Sequence, residues 1–248
     1  MADDKFDSEG DAAVEALLRG PKPSTNAFEV TVEKLGSVIK MGLILPGERL
    51  PSERDISEMM GVSRTTIREA IRVLTVQGAL EVRRGRMGGT FVSTQLKRPN
   101  AGELRERVSR QGSTLLDVLD LRFVVEQGVA QIAAERATDE QVRELEKFLV
   151  DMTGEGRKFP LYRDLDTRFH LLIAGATQSD RLSSMVADIH AGLSDLMALI
   201  PYSEEAVLHS SDQHTRLVAA IKKKKPEQAR KIMQEHVSAT SSFLRGLL

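Results

Sequence analysis

Residues 46–92 read PGERLPSERDISEMMGVSRTTIREAIRVLTVQGALEVRRGRMGGTFV, and this stretch decides the fold of the N-terminal part of the chain. Ser52 is a predicted N-cap, because its hydroxyl can accept a backbone hydrogen bond and an aspartate follows three residues later, as in a capping box. The helix that it starts ends at Gly61, since glycine readily takes the left-handed conformation that closes many helices. Ser63 caps the next helix, which Gly78 ends. The stretch therefore predicts two capped helices joined by a tight turn.

A further helix and a β-hairpin complete this unit. Before the two capped helices, five apolar residues recur at spacings of three and four, which predicts a helix: Phe28, Val32, Leu35, Val38 and Ile39. After them, residues 79–84 and 90–93 have the pattern of two short strands around the glycine-rich turn at residues 85–89. The order helix, helix, tight turn, helix, hairpin predicts a winged helix-turn-helix domain at residues 26–94.

The rest of the chain divides into a tail, a linker and a second domain. Residues 1–25 mix acidic and small residues with a Pro-Lys-Pro break and are predicted to form a flexible tail. The polar residues 95–112 are predicted to link the domains. Residues 113–248 show no strand pattern, and their periodicity predicts an all-α bundle of about six helices at residues 115–136, 139–152, 162–176, 181–199, 204–224 and 226–247. The predicted fold class is mainly α: a winged helix-turn-helix followed by a helical bundle.

Composition excludes several classes of protein. The chain has 248 residues, of which 41% are hydrophobic, so it can bury a core and is not wholly disordered. It has no cysteine, which excludes disulfides, thiolate metal sites and cysteine nucleophiles and favours a cytoplasmic location. No stretch approaches the roughly 18 uncharged apolar residues of a membrane span, and no signal peptide opens the chain. We therefore expect no membrane partner.

Basic residues concentrate in the predicted winged helix-turn-helix. The net charge of the whole chain is -1, but residues 26–97 carry eleven basic and eight acidic side chains. Arg64, Arg68 and Arg72 stand four residues apart and therefore share one face of the predicted recognition helix. Arginine can pair with guanine through two hydrogen bonds in the major groove, and the positive end of a helix dipole attracts phosphate. The pattern indicates double-stranded DNA as a partner, although a solvated helix face has the same arginine spacing.

All five histidines lie in the predicted bundle, at positions 170, 190, 209, 214 and 236. Asp166 and His170 are four residues apart and share a helix face. His214 and His236 each lie eleven residues from Lys225, so in an antiparallel helical hairpin both are roughly 16 Å from the turn and level with each other. Three imidazoles and one carboxylate can then hold a divalent ion, zinc first and otherwise nickel, manganese or iron. The alternative is that these histidines have ordinary structural roles, as we expect of the other two.

The N-terminal motifs resemble a known family. They are similar to the winged-helix domain of GntR-family transcription regulators at Pro-Ser-Glu-Arg (51–54), Gly-Val-Ser-Arg-Thr-Thr-Ile-Arg-Glu-Ala (61–70) and the Arg84-Gly85 wing. The resemblance implies that eight residues contact operator DNA, the last two of them in the minor groove: Arg54, Ser63, Arg64, Thr65, Thr66, Arg68, Arg84 and Gly85. The wing itself reads Arg-Gly-Arg-Met-Gly-Gly, which departs from the glycine-serine-glycine style of the family.

The predicted bundle resembles the FCD domain, the ligand-binding domain of the FadR subfamily. The motifs that carry this similarity lie within residues 115–242 and are Asp120-Leu121-Arg122 with Glu126, Asp166-Thr167-Arg168-Phe169-His170, Gln213-His214 and Glu235-His236. The resemblance implies that Asp166, His170, His214 and His236 hold a divalent metal ion and that a small organic carboxylate binds beside it. Arg122 is the predicted second anchor for this carboxylate, because a guanidinium pairs with a carboxylate through two hydrogen bonds. An intrahelical ion pair with Glu126 is the alternative role for Arg122.

Together these features predict a homodimeric transcription regulator, a repressor, whose affinity for operator DNA is controlled by a small carboxylate effector bound at a metal site. The alternatives are an acyl or apolar effector, a bundle that serves only dimerisation, and a helical metalloenzyme. The histidines argue against an acyl effector, because the resembling regulators that sense acyl chains lack them. The sequence has no HExxH motif, no glycine-rich phosphate loop and no serine nucleophile elbow, so we predict that it is not an enzyme.

Overall fold

The computed structural model describes residues 27–85, 88–95, 100–153, 159–200 and 203–246. The predicted tail at residues 1–25 and the wing-tip residue Arg86 lie outside these ranges. Within them the chain forms nine helices and one two-stranded antiparallel sheet, which confirms the predicted mainly-α fold class. Among these helices, none combines the length and the apolar composition that crossing a membrane requires.

The N-terminal elements are those of a winged helix-turn-helix. They are α1 (Ala27–Lys40), α2 (Glu53–Met60), α3 (Arg64–Val76), β1 (Leu80–Arg83) and β2 (Gly89–Val92). The predicted caps form: the Ser52 hydroxyl accepts a hydrogen bond from the Asp55 amide at 3.2 Å, and the Ser63 hydroxyl accepts one from the Thr66 amide at 3.1 Å. Gly61 ends α2 with φ 64°, the left-handed conformation that a side chain disfavours. Local sequence signals therefore define the turn between α2 and α3.

A small apolar core fixes the orientation of α3. Ile67 is fully buried and packs with Leu80 and Val92 of the hairpin, while α1 covers the same side of α3. β1 and β2 pair in antiparallel register with Leu80 opposite Val92. The Leu50 amide donates to the Thr90 carbonyl at 2.8 Å, so the segment before α2 joins the hairpin. The side of α3 opposite this core, which carries the arginines, remains exposed.

Six helices form the C-terminal bundle. They are α4 (Ala101–Arg136), α5 (Asp139–Thr153), α6 (Phe159–Gly175), α7 (Asp180–Met197), α8 (Glu204–Lys222) and α9 (Pro226–Arg245). The long helix α4 packs against α9, α7, α8 and α6. Its fully buried residues Ala130, Ala133 and Ala134 are small, which lets the neighbouring helices approach its backbone closely. The centre of the bundle is therefore surrounded by α4, α6, α7, α8 and α9.

The predicted linker is a helix over most of its length. α4 begins at Ala101 rather than near residue 115, so residues 101–112 extend the bundle towards the winged helix-turn-helix. A capping box starts it: the Asn100 side chain accepts from the Gly102 and Glu103 amides, and the Glu103 carboxylate accepts from the Asn100 amide. Leu104 and Val108 are buried on one face. These two apolar residues in a polar stretch are too sparse to show as a periodic pattern in the sequence.

The two domains contact each other at α6 and α7. The Lys40 ammonium at the end of α1 lies 2.9 Å from a carboxylate oxygen of Asp195 in α7, and Arg107 of α4 lies 3.9 Å from the other oxygen. Gly42 follows with φ 67°, and a Cβ at this position would lie 2.5 Å from the side chain of Asp164 in α6. The backbone of the DNA-binding domain therefore rests directly on the helix that contains Asp166 and His170.

We expect Asn100→Ala to destabilise the first turns of α4. Loss of an N-cap side chain costs about 1 kcal/mol, because the Gly102 and Glu103 amides lose their acceptor while the bond from the backbone amide of residue 100 to Glu103 remains. Amide hydrogen exchange should show reduced protection at residues 102–108, with little change at residues 120–130. Asn100→Asp, which retains the accepting oxygen, is the matched control. Unchanged protection in Asn100→Ala would show that the cap does not determine where the helix begins.

Candidate functional site

Four predicted metal-binding side chains meet in the interior of the bundle. Asp166 and His170 project from α6, His214 from α8 and His236 from α9, and all four are buried. Nε2 of His236 lies 3.2 Å from Nε2 of His170 and 3.4 Å from Nε2 of His214. A carboxylate oxygen of Asp166 lies 3.4 Å from Nε2 of His214. The four donor atoms all lie within 4.8 Å of one another, so the structure brings the whole predicted set together.

Two of these imidazoles have a polar partner at the ring nitrogen that faces away from the cluster, and this partner favours one tautomer. Nδ1 of His236 lies 3.0 Å from Oε1 of Gln213, and Nδ1 of His170 contacts Oε2 of Glu126. Both partner oxygens are acceptors, which favours in each neutral ring the tautomer with the proton on Nδ1 and the lone pair on Nε2. In that form the two Nε2 atoms, 3.2 Å apart in a buried environment, direct lone pairs at each other. Such an arrangement is repulsive unless a cation or a proton lies between the rings.

The donor set fits a divalent metal ion. Two ligands bound to zinc at 2.0–2.1 Å and at the tetrahedral angle are about 3.4 Å apart. The imidazole nitrogens are separated by 3.2 and 3.4 Å, which is close to that spacing. Three imidazoles and one carboxylate are also donors that zinc and its first-row neighbours accept. The arrangement can therefore hold such an ion without large rearrangement of the side chains.

Burial keeps two of the imidazoles neutral. Burial lowers the pKa of His214 to about 4, although the nearby Asp166 carboxylate acts in the opposite direction. Burial, with the further effect of the His214 and His170 charges, holds the pKa of His236 well below its usual range. The neutral imidazole is the form that binds a metal ion. Both rings are therefore ready to act as ligands near pH 7.

Arg122 lies beside this cluster and is almost fully buried, with 1% of its surface exposed. Its Nε donates to Oε1 of Glu126 at 2.9 Å, which is the intrahelical pair considered as the alternative. Its two terminal nitrogens, Nη1 and Nη2, have no hydrogen-bond acceptor among the described residues. Buried guanidinium donors without acceptors are costly. The structure therefore places Arg122 in the ion pair and leaves two of its donors without an acceptor among the described residues.

A cavity of about 100 Å³ opens against two of the four predicted metal-binding residues. Asp166 and His236 form part of its wall, and Tyr162, Arg163 and Ser210 line it further out. Burial, with the nearby Asp166 carboxylate, raises the pKa of Tyr162 to about 12, so its hydroxyl stays protonated and can donate a hydrogen bond. A small molecule that enters this cavity meets the metal-binding carboxylate, a guanidinium and two hydroxyl groups.

Three residues of this site were not singled out by the sequence. Gln213 appears there only as part of a motif, Glu126 only in a motif and as the alternative partner of Arg122, and His190 is expected to have an ordinary role. In the structure Glu126 and His190 lie 3.1 Å apart behind His170, and Gln213 lies behind His236. The Arg122 and Glu126 spacing is a signal for their pairing, but no local pattern connects α4 with His190 on α7.

The predicted DNA-contacting residues form an exposed face on α2, α3 and the wing. Arg64 and Thr65 begin α3 and are exposed, while Thr66 is half-buried and its hydroxyl lies 2.8 Å from that of Ser63. Gly85 has φ 105°, a conformation that favours glycine at the wing turn. The structure therefore exposes both the N-terminus of α3 and the glycine at the wing turn.

The arginines of this face differ in their partners. Arg68 donates two hydrogen bonds to the Glu53 carboxylate, at 2.9 and 3.3 Å. Arg72 lies 3.6 Å from Glu69, and Arg54 pairs with neighbouring carboxylates on α2. Within the described residues, Arg64 and Arg84 have no carboxylate partner. Arg64 is therefore the recognition-helix arginine whose guanidinium is available without breaking an ion pair.

Comparison with known proteins assigns both domains. Residues 29–92 match the family described as bacterial regulatory proteins, gntR family, and residues 117–239 match the FCD domain. RmpR of Mycobacterium gastri, whose name describes an HTH-type transcriptional regulator, is 34% identical over 224 residues, which cover 87% of this chain and 79% of RmpR. The chain belongs to the GntR family.

Two further comparisons agree with this assignment. The Exu regulon transcriptional regulator of Escherichia coli K12 is 30% identical over 216 residues, which cover 83% of this chain and 80% of that protein. The solved structure of Escherichia coli McbR/YncC has the same fold, with a TM-score of 0.54, 20% sequence identity, and coverage of 90% of this chain and 98% of that one. This GntR-family protein is therefore a transcription regulator with a DNA-binding domain and an FCD effector-binding domain, and not an enzyme.

We expect Arg64→Ala to weaken operator binding by this GntR-family regulator more than Arg72→Ala. A lost bidentate contact to a base costs about 1–3 kcal/mol, whereas Arg72 lies near Glu69 and further along α3. Fluorescence anisotropy with operator DNA at fixed salt would measure both affinities. Equal affinities of Arg64→Ala and the wild type would contradict the role of Arg64 in reading DNA.

We expect the metal-free GntR-family regulator to lose stability as the pH falls from 6.5 to 4. A histidine in the unfolded chain titrates near 6.5, whereas His214 in the folded bundle titrates at about 4. Between these values the unfolded state binds more protons, so this stabilisation is fully present above pH 6.5 and is lost towards pH 4.

Thermal unfolding in the presence of a chelator would measure this dependence. His214→Gln should show a shallower decrease in melting temperature over the same pH range, because the titrating ring is absent. His209→Gln, which replaces an exposed histidine on α8, is the matched control and should keep the wild-type slope. Identical slopes for His214→Gln and the wild type would show that His214 is not held neutral by burial.

Proposed function

We propose that this protein is a homodimeric repressor of the FadR subfamily whose affinity for operator DNA is controlled by a small organic acid bound at a divalent metal ion. Asp166, His170, His214 and His236 would hold the ion, with zinc the first candidate. The observation that carries the proposal is the convergence of the four buried donor atoms within 4.8 Å, with Nε2 of His170 and Nε2 of His236 3.2 Å apart. A buried arrangement of this kind is favourable when a cation lies between the rings.

The effector class follows from the groups around the metal-binding residues. A divalent ion attracts a carboxylate, and four protein ligands leave open positions when the ion expands its coordination. The terminal nitrogens of Arg122 are buried donors without acceptors in the described part of the chain, which supports a role as a second carboxylate anchor. The adjoining cavity of about 100 Å³ limits the effector to a small molecule.

One helix connects the effector site with the DNA-binding domain. α6 carries the metal-binding residues Asp166 and His170, and its Asp164 packs against Gly42 of the winged helix-turn-helix. A ligand that binds one arrangement of α6 more tightly than another shifts the equilibrium towards that arrangement, and with it the position of the DNA-binding domain. A ligand with equal affinity for both arrangements changes nothing. In a homodimer this shift changes the spacing of two recognition helices on a pseudo-palindromic operator. Arg54, Ser63, Arg64, Thr65, Thr66, Arg68, Arg84 and Gly85 are the proposed DNA contacts.

Metal content and operator release test this proposal together. We expect about one divalent ion per chain in wild-type protein reconstituted with zinc, and none in the double variant His214→Ala/His236→Ala. Inductively coupled plasma mass spectrometry would measure the ion. His209→Ala is the control, because it removes a histidine from the same helix as His214 without changing the site.

The zinc-loaded protein would then be mixed with operator DNA and a panel of hydroxy and keto acids of two to six carbons. We expect one class of acid to weaken operator binding by roughly 5- to 150-fold, the usual range of allosteric coupling, and only in the loaded protein. Absence of metal after reconstitution would refute the metal site but leave the DNA-binding domain unaffected. An acid that strengthens operator binding would refute repression relieved by the ligand.

A further inference from the structure

A buried hydrogen-bond network lies directly behind the proposed metal site. Glu126 of α4 accepts hydrogen bonds from Nε of Arg122 at 2.9 Å and from Nε2 of His190 at 3.1 Å, and it contacts Nδ1 of His170. All four residues are buried, with exposed fractions of 4% or less. Three helices, α4, α6 and α7, therefore meet at one carboxylate.

The two oxygens of Glu126 have different partners. Oε1 accepts from Arg122 and His190, whereas Oε2 contacts only His170 among the described residues. An ionised carboxylate accepts hydrogen bonds and cannot donate them. The contact with Oε2 therefore favours a proton on Nδ1 of His170, and in the neutral ring this directs the lone pair of Nε2 towards Asp166, His214 and His236.

We propose that Glu126 is a positioning residue for the metal centre: it fixes the tautomer and the orientation of His170, and Arg122 and His190 hold Glu126 in place. A metal-binding histidine usually donates its other ring proton to a carboxylate or a carbonyl, and such partners affect metal affinity. The inference rests on the proposed metal site but concerns residues that do not bind the ion.

The buried ion pair alone does not account for this arrangement. Removing a buried arginine and glutamate pair in favour of apolar residues is often neutral or stabilising, because both charges lose their hydration on burial. Glu126 with His170 and His190 also has the composition of a second metal site. However, Oε1 already accepts from the Arg122 guanidinium, and this positive charge at 2.9 Å opposes a second cation.

The substitution Glu126→Gln tests the positioning role because it changes one oxygen into an amide group. The remaining oxygen is expected to keep accepting from Arg122 and His190, so the introduced amide faces Nδ1 of His170 and donates to it. His170 must then carry its proton on Nε2, the atom that faces the metal. Nitrogen-15 NMR of the imidazoles in chelator-treated protein measures this tautomer without any metal. We expect an Nδ1 proton in the wild type and an Nε2 proton in Glu126→Gln.

Zinc affinity, measured by competition with a chelator, is the second readout. We expect Glu126→Gln to bind zinc about 10- to 100-fold more weakly than the wild type. Glu135→Gln, an exposed glutamate on the same helix, is the matched control and should keep wild-type affinity. An unchanged His170 tautomer, or wild-type zinc affinity, in Glu126→Gln would overturn the proposal.

A double variant separates positioning of His170 from neutralisation of Arg122. Arg122→Met/Glu126→Leu removes both buried charges, so it remains informative if Glu126→Gln does not fold. We expect zinc binding to stay weakened in the double variant, because His170 still lacks its acceptor. Recovery of wild-type zinc affinity would show that Glu126 serves only to neutralise Arg122.

The outcomes also distinguish this inference from the proposed metal function. Wild-type protein that binds no zinc refutes the metal site, but the His170 tautomer in the metal-free protein still tests the role of Glu126. Two zinc ions per wild-type chain, with one lost in His190→Ala, would overturn the positioning role, because Glu126, His170 and His190 would then be ligands of a second ion.

Discussion

The interior of the FCD domain is organised by one constraint: three imidazoles and a carboxylate converge among buried side chains. The acceptor oxygens of Glu126 and Gln213, which lie beside Nδ1 of His170 and Nδ1 of His236, favour neutral rings whose lone pairs are on Nε2. Buried acceptors that face each other are unfavourable without a donor or a cation. A divalent ion at this point would join α6, α8 and α9, and through Glu126 it would also stabilise the packing of α4 and α7.

This organisation explains how a small ligand can affect a domain that it does not touch. Two of the proposed ligands, Asp166 and His170, lie on α6, and the same helix contacts Gly42 of the winged helix-turn-helix through Asp164. The ion pair between Lys40 and Asp195 adds a contact to α7, the helix that carries His190. Close-packed helices transmit small displacements because they cannot deform continuously. The effector site and the domain contact are therefore parts of one packed unit.

Features that depend on neighbours in the sequence could be predicted, and features that depend on packing could not. The N-caps at Ser52 and Ser63 and the Asp166 and His170 pair follow from local spacing. The level placement of His214 and His236 required one assumption, an antiparallel hairpin, and the structure has it. The approach of His190 to Glu126 depends on how α7 packs against α4, which no periodicity encodes. The helical start of α4 was missed because only Leu104 and Val108 mark its buried face.

One type of interaction occurs in both domains with different consequences: a carboxylate orients the side chain of a nitrogen donor. In the buried site Glu126 acts on His170 where the low dielectric makes the interaction strong. On the DNA-binding face Glu53 holds Arg68 through two hydrogen bonds at an exposed position, where an ion pair contributes little stability. Its effect there is geometric: the guanidinium is held in one orientation, and the nearby negative charge reduces its attraction for phosphate. Arg68 would therefore favour directional contacts with DNA, whereas the charge of Arg64, which has no carboxylate partner among the described residues, is not offset by a neighbouring acid.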